Sequence, residues 1–239
     1  MSSMAMVRHA QASFLSGDYD RLSSLGAEQA RRLGRYWSQR GISFDLVFCG
    51  PRRRQRETEQ IVGREMKEAG QSWPAAQTVE GLDEYPAESI MRAFAPQVVA
   101  ADDRLKKVAE TFNACQDAAE KQRLFQRLFE PVTRRWLAGE LSSQDVESWK
   151  DFRTRVLEAV ESITTQAGRG SRVAVFTSAG PIAVAVERAL GHPTEKTLEL
   201  SWTVRNAAHS EFLFTQDRFS LSTFNTHPHL DEPRLVTFR

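Results

Sequence analysis

The dipeptide Arg8-His9 ends a short apolar run, Met4 to Val7, and three further groups able to do chemistry stand in similar places. Arg52-Arg53-Arg54 comes after the apolar run Phe44 to Phe48, Glu84 stands in Leu82-Asp-Glu-Tyr85, and Ser178-Ala-Gly180 comes after Arg172 to Thr177. Guanidinium forks bind phosphoryl oxygens bidentately, and a helix N-terminus favours an anion. An imidazole can attack phosphorus, and a carboxyl group can give a proton to the departing oxygen. The combination is a phosphate-handling set. Positive charge from the flanking arginines is expected to lower the pKa of His9 and keep its lone pair available near neutrality. With no built-in counter-anion expected, the same donors should hold a phosphate or sulfate ion.

Such groups meet only if the runs before them are strands of one sheet. Met4 to Val7 and Phe44 to Phe48 read as buried strands, and Arg172 to Thr177, after the breaker Gly168-Arg-Gly170, is the most β-like stretch of the chain. Ser178-Ala-Gly-Pro181 then leads into the helical run IAVAVERAL, with Pro181 read at the first helical position. This turn belongs at the carboxyl edge of a parallel sheet, where α/β folds place ligands. LSSLGAEQARRLGRYWSQRG gives a helix with Leu25, Ala30, Leu33 and Trp37 on one face, completing a βαβ unit with a right-handed crossover. Arg56 to Ala69 reads as a helix and Val79 to Leu82 as a short strand.

From about residue 86 to 143 the pattern runs helix after helix, which implies an insertion over the mouth of the site that shapes substrate choice. Asp145 to Gln166 reads as one amphipathic helix, with Trp149, Phe152, Val156, Val160 and Ile163 as its core stripe. EFLFTQD and FSLSTFNT suggest an antiparallel hairpin at the sheet edge. The expected fold class is α/β, a three-layer α/β/α sandwich with a mostly parallel central sheet and a helical insertion, within one domain over residues 1–239.

Composition narrows the classes. With 239 residues, 41% apolar and 26% charged, the chain can bury a full core. Its 32 basic and 31 acidic side chains leave a net charge of +1, so no global field draws it to nucleic acid or anionic lipid. No stretch approaches the roughly 18 apolar residues of a membrane span, and MSSMAMVRHA lacks a secretory pattern, so a cytoplasmic location is expected. Cys49 and Cys115 have no metal-type spacing and read as free thiols, and no clustered metal-ligand set or cofactor motif stands out.

Five segments resemble the histidine phosphatase superfamily, the phosphoglycerate mutase-like proteins. VRHAQASFLSGDYDRLSSLGAEQARRLG is similar to that family's Arg-His-Gly opening followed by Leu-Thr/Ser-x-x-Gly-x-x-Gln-Ala. CGPRRRQRETEQI resembles its Ser-Pro-Leu-x-Arg-Ala-x-x-Thr segment, LDEY its Leu-x-Glu, and WKDFRTRVLEAVESI with FNTHPHL its later segments. Ala10 replaces the triplet glycine, and Ser178 replaces the second histidine of the Ser-His-Gly-Gly turn. A bacterial branch with an RHGQASF opening, serine at that histidine position and an FNTxPHL tail is the most similar.

The resemblance implies His9 as nucleophile, Glu84 as acid and then base, and Arg8, Arg54 and Ser178 as phosphate-binding residues, with Thr58 as the family threonine. Arg52 and Arg53 read as solvated or helix-capping, His192 as a helix-end residue, His227 and His229 as structural or exposed, and His209 as a pocket-lining candidate. The implied activity is slow, metal-independent hydrolysis of a small phosphomonoester through a phosphohistidine. Two alternatives stand beside it: a phosphoglycerate-type mutase, and a non-catalytic module that binds a phosphorylated ligand. A homodimer is compatible with all three.

Overall fold

The structure, a computed structural model, describes residues 1–13 and 20–238; Phe14 to Tyr19, part of the opening motif, lie outside the described residues. In chain order the elements are β1 (Ser2–Arg8), α1 (Ser24–Gln39), β2 (Leu46–Cys49), α2 (Arg53–Glu68), β3 (Gln77–Thr78), α3 (Ala87–Ala100), α4 (Asp103–Ala114), α5 (Ala118–Leu137), α6 (Trp149–Gln166), β4 (Arg172–Thr177), α7 (Ala179–Leu190), α8 (Thr194–Thr203), β5 (His209–Phe214) and β6 (Phe219–Thr226). Two compact units emerge, Met1–Glu84 with Thr154–Arg239, and Tyr85–Arg153.

The first unit holds one six-stranded sheet in the order β3-β2-β4-β1-β5-β6. β1 and β2 each pair in parallel with β4, β2 pairs in parallel with β3, and β5 and β6 add antiparallel neighbours at the other edge. β1, β2 and β4 therefore all deliver their following loops to the same edge. β4 lies between β1 and β2, so the expected βαβ unit steps over a strand instead of joining neighbours. The tail hairpin sits at the sheet edge as its alternation implied.

Alternation along the strands sends side chains to two buried faces. Ala5, Val7, Val47, Cys49, Ala174 and Phe176 pack under α1 and α2 with Leu33, Trp37, Val62 and Met66. Met4, Met6, Phe48, Val173 and Val175 point the other way and are equally buried, and α7, which packs on β1 and β6, covers that side. This is the α/β/α arrangement.

Several boundaries differ from the sequence reading. The strand expected at Val79 to Leu82 is instead β3 followed by a 3₁₀ turn at Glu80–Leu82. A side chain at Gly81 would meet Arg155 O at 2.7 Å and Ala159 Cβ at 2.9 Å, so α6 presses the chain into a turn there. α6 begins at Trp149, not Asp145, because Ser148 caps it by accepting from Asp151 N at 3.1 Å. α2 begins three residues earlier than expected, and α7 begins at Ala179, which puts Pro181 at the third helical position, where no intrahelical partner is lost. Helix α8 was not anticipated.

The second unit is built from α3, α4 and α5 with the first residues of α6. Val108, Leu124 and Leu128 form its buried cluster, and Tyr85 packs on Trp136 and Phe152 with ring centroids 5.6 Å apart in both pairs. Its span takes in Trp149 and Phe152, whereas Val156, Val160 and Ile163 of the same stripe serve the first unit's core.

Candidate active site

The carboxyl edge of the sheet in the first unit brings together every residue singled out for phosphate chemistry. β1 ends at Arg8 opposite Thr177 of β4, so His9 and Ser178 occupy neighbouring positions just beyond the paired strands. Thr177 O accepts from His9 N at 2.8 Å and fixes that neighbourhood. α2 starts after β2 with Arg54 in its first turn, and the 3₁₀ turn after β3 carries Glu84 to the start of α7.

The backbone around His9 is clamped from three directions. Thr58, fully buried, accepts from Ala10 N at 3.0 Å and donates to Arg54 O at 2.7 Å, which ties the His9 loop to α2. Asn206 Nδ2 donates to His9 O at 3.2 Å from the loop before β5. Gln11 is held by α1: its N–H donates to Gln29 Oε1 at 2.9 Å and its carbonyl accepts from Ser23 N at 2.9 Å. A Cβ at Gly26 would stand 2.1 Å from Gln11 O, so only glycine lets α1 come this close. The Ser-x-x-Gly-x-x-Gln spacing of α1 is thus a cradle for the segment after His9.

His9 itself is 5% exposed. Its Nδ1 lies 2.8 Å from Ala10 O, and since a carbonyl only accepts, Nδ1 carries the ring proton. Arg54 Nε donates to His9 Nε2 at 3.1 Å, which fits the same tautomer with a lone pair on Nε2. Burial, more than the charges of Arg54 and Arg8, holds the His9 pKa well below the usual imidazole value; the hydrogen bond to Ala10 opposes them. The sequence reading named only the arginines.

Arg54 is buried and also pairs with Asp20, Nη1 to Oδ1 at 2.7 Å. The expected absence of a counter-anion is therefore corrected: an acidic residue from the turn before α1 occupies one arm of the guanidinium. Arg8 donates through Nη1 to Val204 O. Glu84 lies at the start of α7, where Gly180 N donates to its two carboxylate oxygens at 3.1 and 3.2 Å. The helix N-terminus thus faces a protein carboxylate, the charge it favours.

Ser178 is fully buried as the N-cap of α7, but its hydroxyl does not cap the helix. Its Oγ accepts from Gln55 Nε2 at 2.8 Å. Arg52, the N-cap residue of α2, pairs with Asp83 at 2.6 Å, and the exposed Arg53 pairs with Glu57 at 2.7 Å. Arg155 on α6 donates to Gly81 O at 3.0 Å, Asp83 O at 2.9 Å and Glu84 O at 3.3 Å, fixing the turn that carries the carboxylate.

His209 is a core residue and not a pocket wall: it packs on Trp37 with centroids 6.0 Å apart and stacks on His229 at 6.4 Å. His192 stands just past the end of α7 at Gly191. Both cysteines are free thiols, and burial pushes the Cys49 thiol up to about 12. Among the described residues no group of three or more His, Cys, Asp or Glu is placed to hold a metal ion, and no helix is long and apolar enough to cross a membrane.

Asp20, Gln55, Asn206 and Arg155 were missed in the sequence. Gln55 alone carried a signal, since it stands where the quoted Arg-Ala-x-x-Thr pattern has alanine.

Comparison with known proteins gives a family and a fold. The family model for the histidine phosphatase superfamily, branch 1, matches residues 4–87 and 87–227. None of the curated proteins matches. Among solved structures, the mycobacterial glucosyl-3-phosphoglycerate phosphatase with inorganic phosphate is 18% identical with a TM-score of 0.63, covering 95% of this chain and 98% of its own. The Entamoeba histolytica phosphoserine phosphatase with 3-phosphoglyceric acid is 16% identical with a TM-score of 0.63, covering 96% and 100%. The Bacillus anthracis phosphoglycerate mutase is 16% identical with a TM-score of 0.62, covering 96% and 95%. At these identities the likeness is one of fold.

Proposed function

The chain belongs to the histidine phosphatase superfamily, and from that membership we propose that it is a slow phosphomonoester phosphatase working through a phosphohistidine on His9. The observation that carries this reading is the tautomer of His9, with Nδ1–H on Ala10 O and the Nε2 lone pair beside Arg54. Nε2 attacks phosphorus in line as the bond to the leaving oxygen breaks, and protonated Glu84 gives that oxygen its proton. Water then attacks the phosphohistidine, Glu84 takes the water's proton, and orthophosphate leaves with His9 neutral again.

Arg8, Arg54, Ser178 and the start of α7 hold the phosphoryl oxygens, because phosphoryl transfer asks mainly for positioning and charge stabilisation. A phosphoryl dianion arriving there meets Asp20 on Arg54 and Glu84 on Gly180 N, and must take both places. Like charges beside one another favour a shared proton, the state the acid step requires of Glu84. Three features support the finer placement in the branch with serine at the second-histidine position: Ser178, the Arg8-His9 opening and the tail Phe224-Asn-Thr-His-Pro-His-Leu230. No metal takes part in this scheme, and the substrate is a small phosphorylated metabolite.

Phosphate release by wild type and Glu84→Gln, from p-nitrophenyl phosphate and from an alkyl phosphate, tests the assignment. Loss of the acid should slow the alkyl ester far more than the nitrophenyl ester, whose leaving group needs no proton; equal losses contradict the role. The mutase reading rests on the shared fold, and a coupled assay with phosphoglycerate isomers separates it, since only a mutase interconverts them without releasing orthophosphate. Tight phosphate binding without turnover of any ester would favour the binding module.

A further inference from the structure

We infer that Gln55 is a positioning residue that makes the Ser178 hydroxyl a hydrogen-bond donor to the bound phosphoryl group. This rests on the phosphate-binding part of the reading above. Gln55 is fully buried in the first turn of α2. Its Oε1 accepts from Arg52 N at 3.0 Å, and a backbone N–H can only donate, so the amide nitrogen must face the other way. On that side lie Ser178 Oγ at 2.8 Å and Leu82 O at 3.4 Å, the second of which can only accept.

Ser178 Oγ therefore receives a hydrogen bond from Gln55 and cannot return one to it. A serine hydroxyl has one proton, and among the described residues that proton has no acceptor. A buried hydroxyl whose donor is left over is a costly arrangement unless a ligand uses it. Its place in the fold says which ligand. Ser178 lies next to His9 across the β1 and β4 strand ends and directly before the helix N-terminus that holds the Glu84 carboxylate. An acceptor anion bound between His9 and that helix end is in reach of the proton.

The seat of Gln55 is also built for it. A Cβ at Gly50 would lie 2.2 Å from Gln55 Oε1 and 3.0 Å from Leu82 O, so glycine is needed there to admit the carboxamide. Through this one side chain the loops after β2, β3 and β4 are joined at the position where Ser178 must be aimed.

The test is a double-mutant cycle on wild type, Ser178→Ala, Gln55→Met and the double variant, read as affinity for orthovanadate and as kcat and KM with p-nitrophenyl phosphate. Thermal melting monitors folding. Gln55→Met is expected to weaken vanadate and lower kcat by about 3- to 10-fold at nearly constant KM, as Ser178→Ala does, and to cost nothing more in the Ser178→Ala background. Should Gln55→Met fail to fold, Gln55→Glu takes its place. Its carboxylate can still accept from Arg52 N but draws the Ser178 proton to itself, so vanadate affinity should fall at least as far as in Ser178→Ala. Vanadate affinity unchanged in the Gln55 variant overturns the inference, as do full additivity of the two substitutions and a wild-type chain that does not bind vanadate. A coupled cycle in vanadate binding with no ester hydrolysis by wild type upholds the Gln55 assignment and sinks the phosphatase reading instead.

Discussion

Arg54 donates its Nε–H to His9 Nε2 at 3.1 Å while its Nη1 lies 2.7 Å from Asp20 Oδ1, so one guanidinium links the nucleophile to a carboxylate. On the proposed reading Arg54 also binds the phosphoryl group, so Asp20 is expected to compete with phosphate for it. The Asp20→Asn variant should bind orthophosphate several-fold more tightly than wild type, since a charged partner gives roughly twice the hydrogen-bond strength of a neutral one. Product-inhibition constants from steady-state kinetics measure this, and unchanged or weaker inhibition in the variant would show that Asp20 orients Arg54 without opposing the ligand.

The two proposed phosphate contacts, Arg54 and Ser178, differ in charge and should rank clearly. Arg54→Ala removes a buried cation beside the attacking nitrogen and is expected to cost about 10²–10³ or more in kcat/KM. Ser178→Ala removes one neutral donor and should cost only several-fold. Equal damage from the two variants would make Ser178 a principal catalytic group.

What the sequence revealed of this site was the part carried by strand ends. Arg8, His9, Arg54 and Ser178 could be placed together because apolar runs before them mark parallel strands, and parallel strands share a carboxyl edge; Glu84 was placed with them through a strand read two residues too late. The supporting contacts were not legible. Asn206 reaches His9 O across 197 positions and Arg155 reaches Gly81 O across 74, and no local pattern encodes such pairings. The mistaken strand at Val79 to Leu82 has the same origin, since the close approach of α6 to Gly81 is a long-range contact that no local pattern encodes. Asp20 carries no local pattern that sets it apart, and only the fold sets it against Arg54.

With His9 as the proposed nucleophile, its lowered pKa should set the acid limit of the reaction. A nucleophile whose pKa lies well below 6.5 keeps its lone pair as the pH falls past that value. The acidic limb of kcat/KM due to the free enzyme's nucleophile should therefore lie well below pH 6.5. A limb centred at pH 6.5 would mean that His9 is more solvated than its burial indicates.

Stability should also fall in acid, through the stacked pair His209 and His229. Burial lowers His209 to about 4 and His229 to about 3, with neighbouring histidines adding to the effect in both. Both are neutral in the folded state, whereas the unfolded chain takes up their protons from about pH 6.5 downward. Their contribution is complete above pH 6.5 and is lost as the pH falls toward 3 to 4, on the order of a few kcal/mol. Melting temperatures between pH 7 and 4 should fall less steeply in His229→Phe than in wild type; parallel curves would assign the acid loss to other groups.

If the phosphoryl group passes through His9, removing its imidazole in His9→Ala leaves no nucleophile. Phosphate release from the best ester found for the wild type should fall by several powers of ten, with the melting temperature and far-ultraviolet circular dichroism preserved. Residual turnover above about one per cent of wild type in a folded His9→Ala protein would contradict covalent catalysis at this residue.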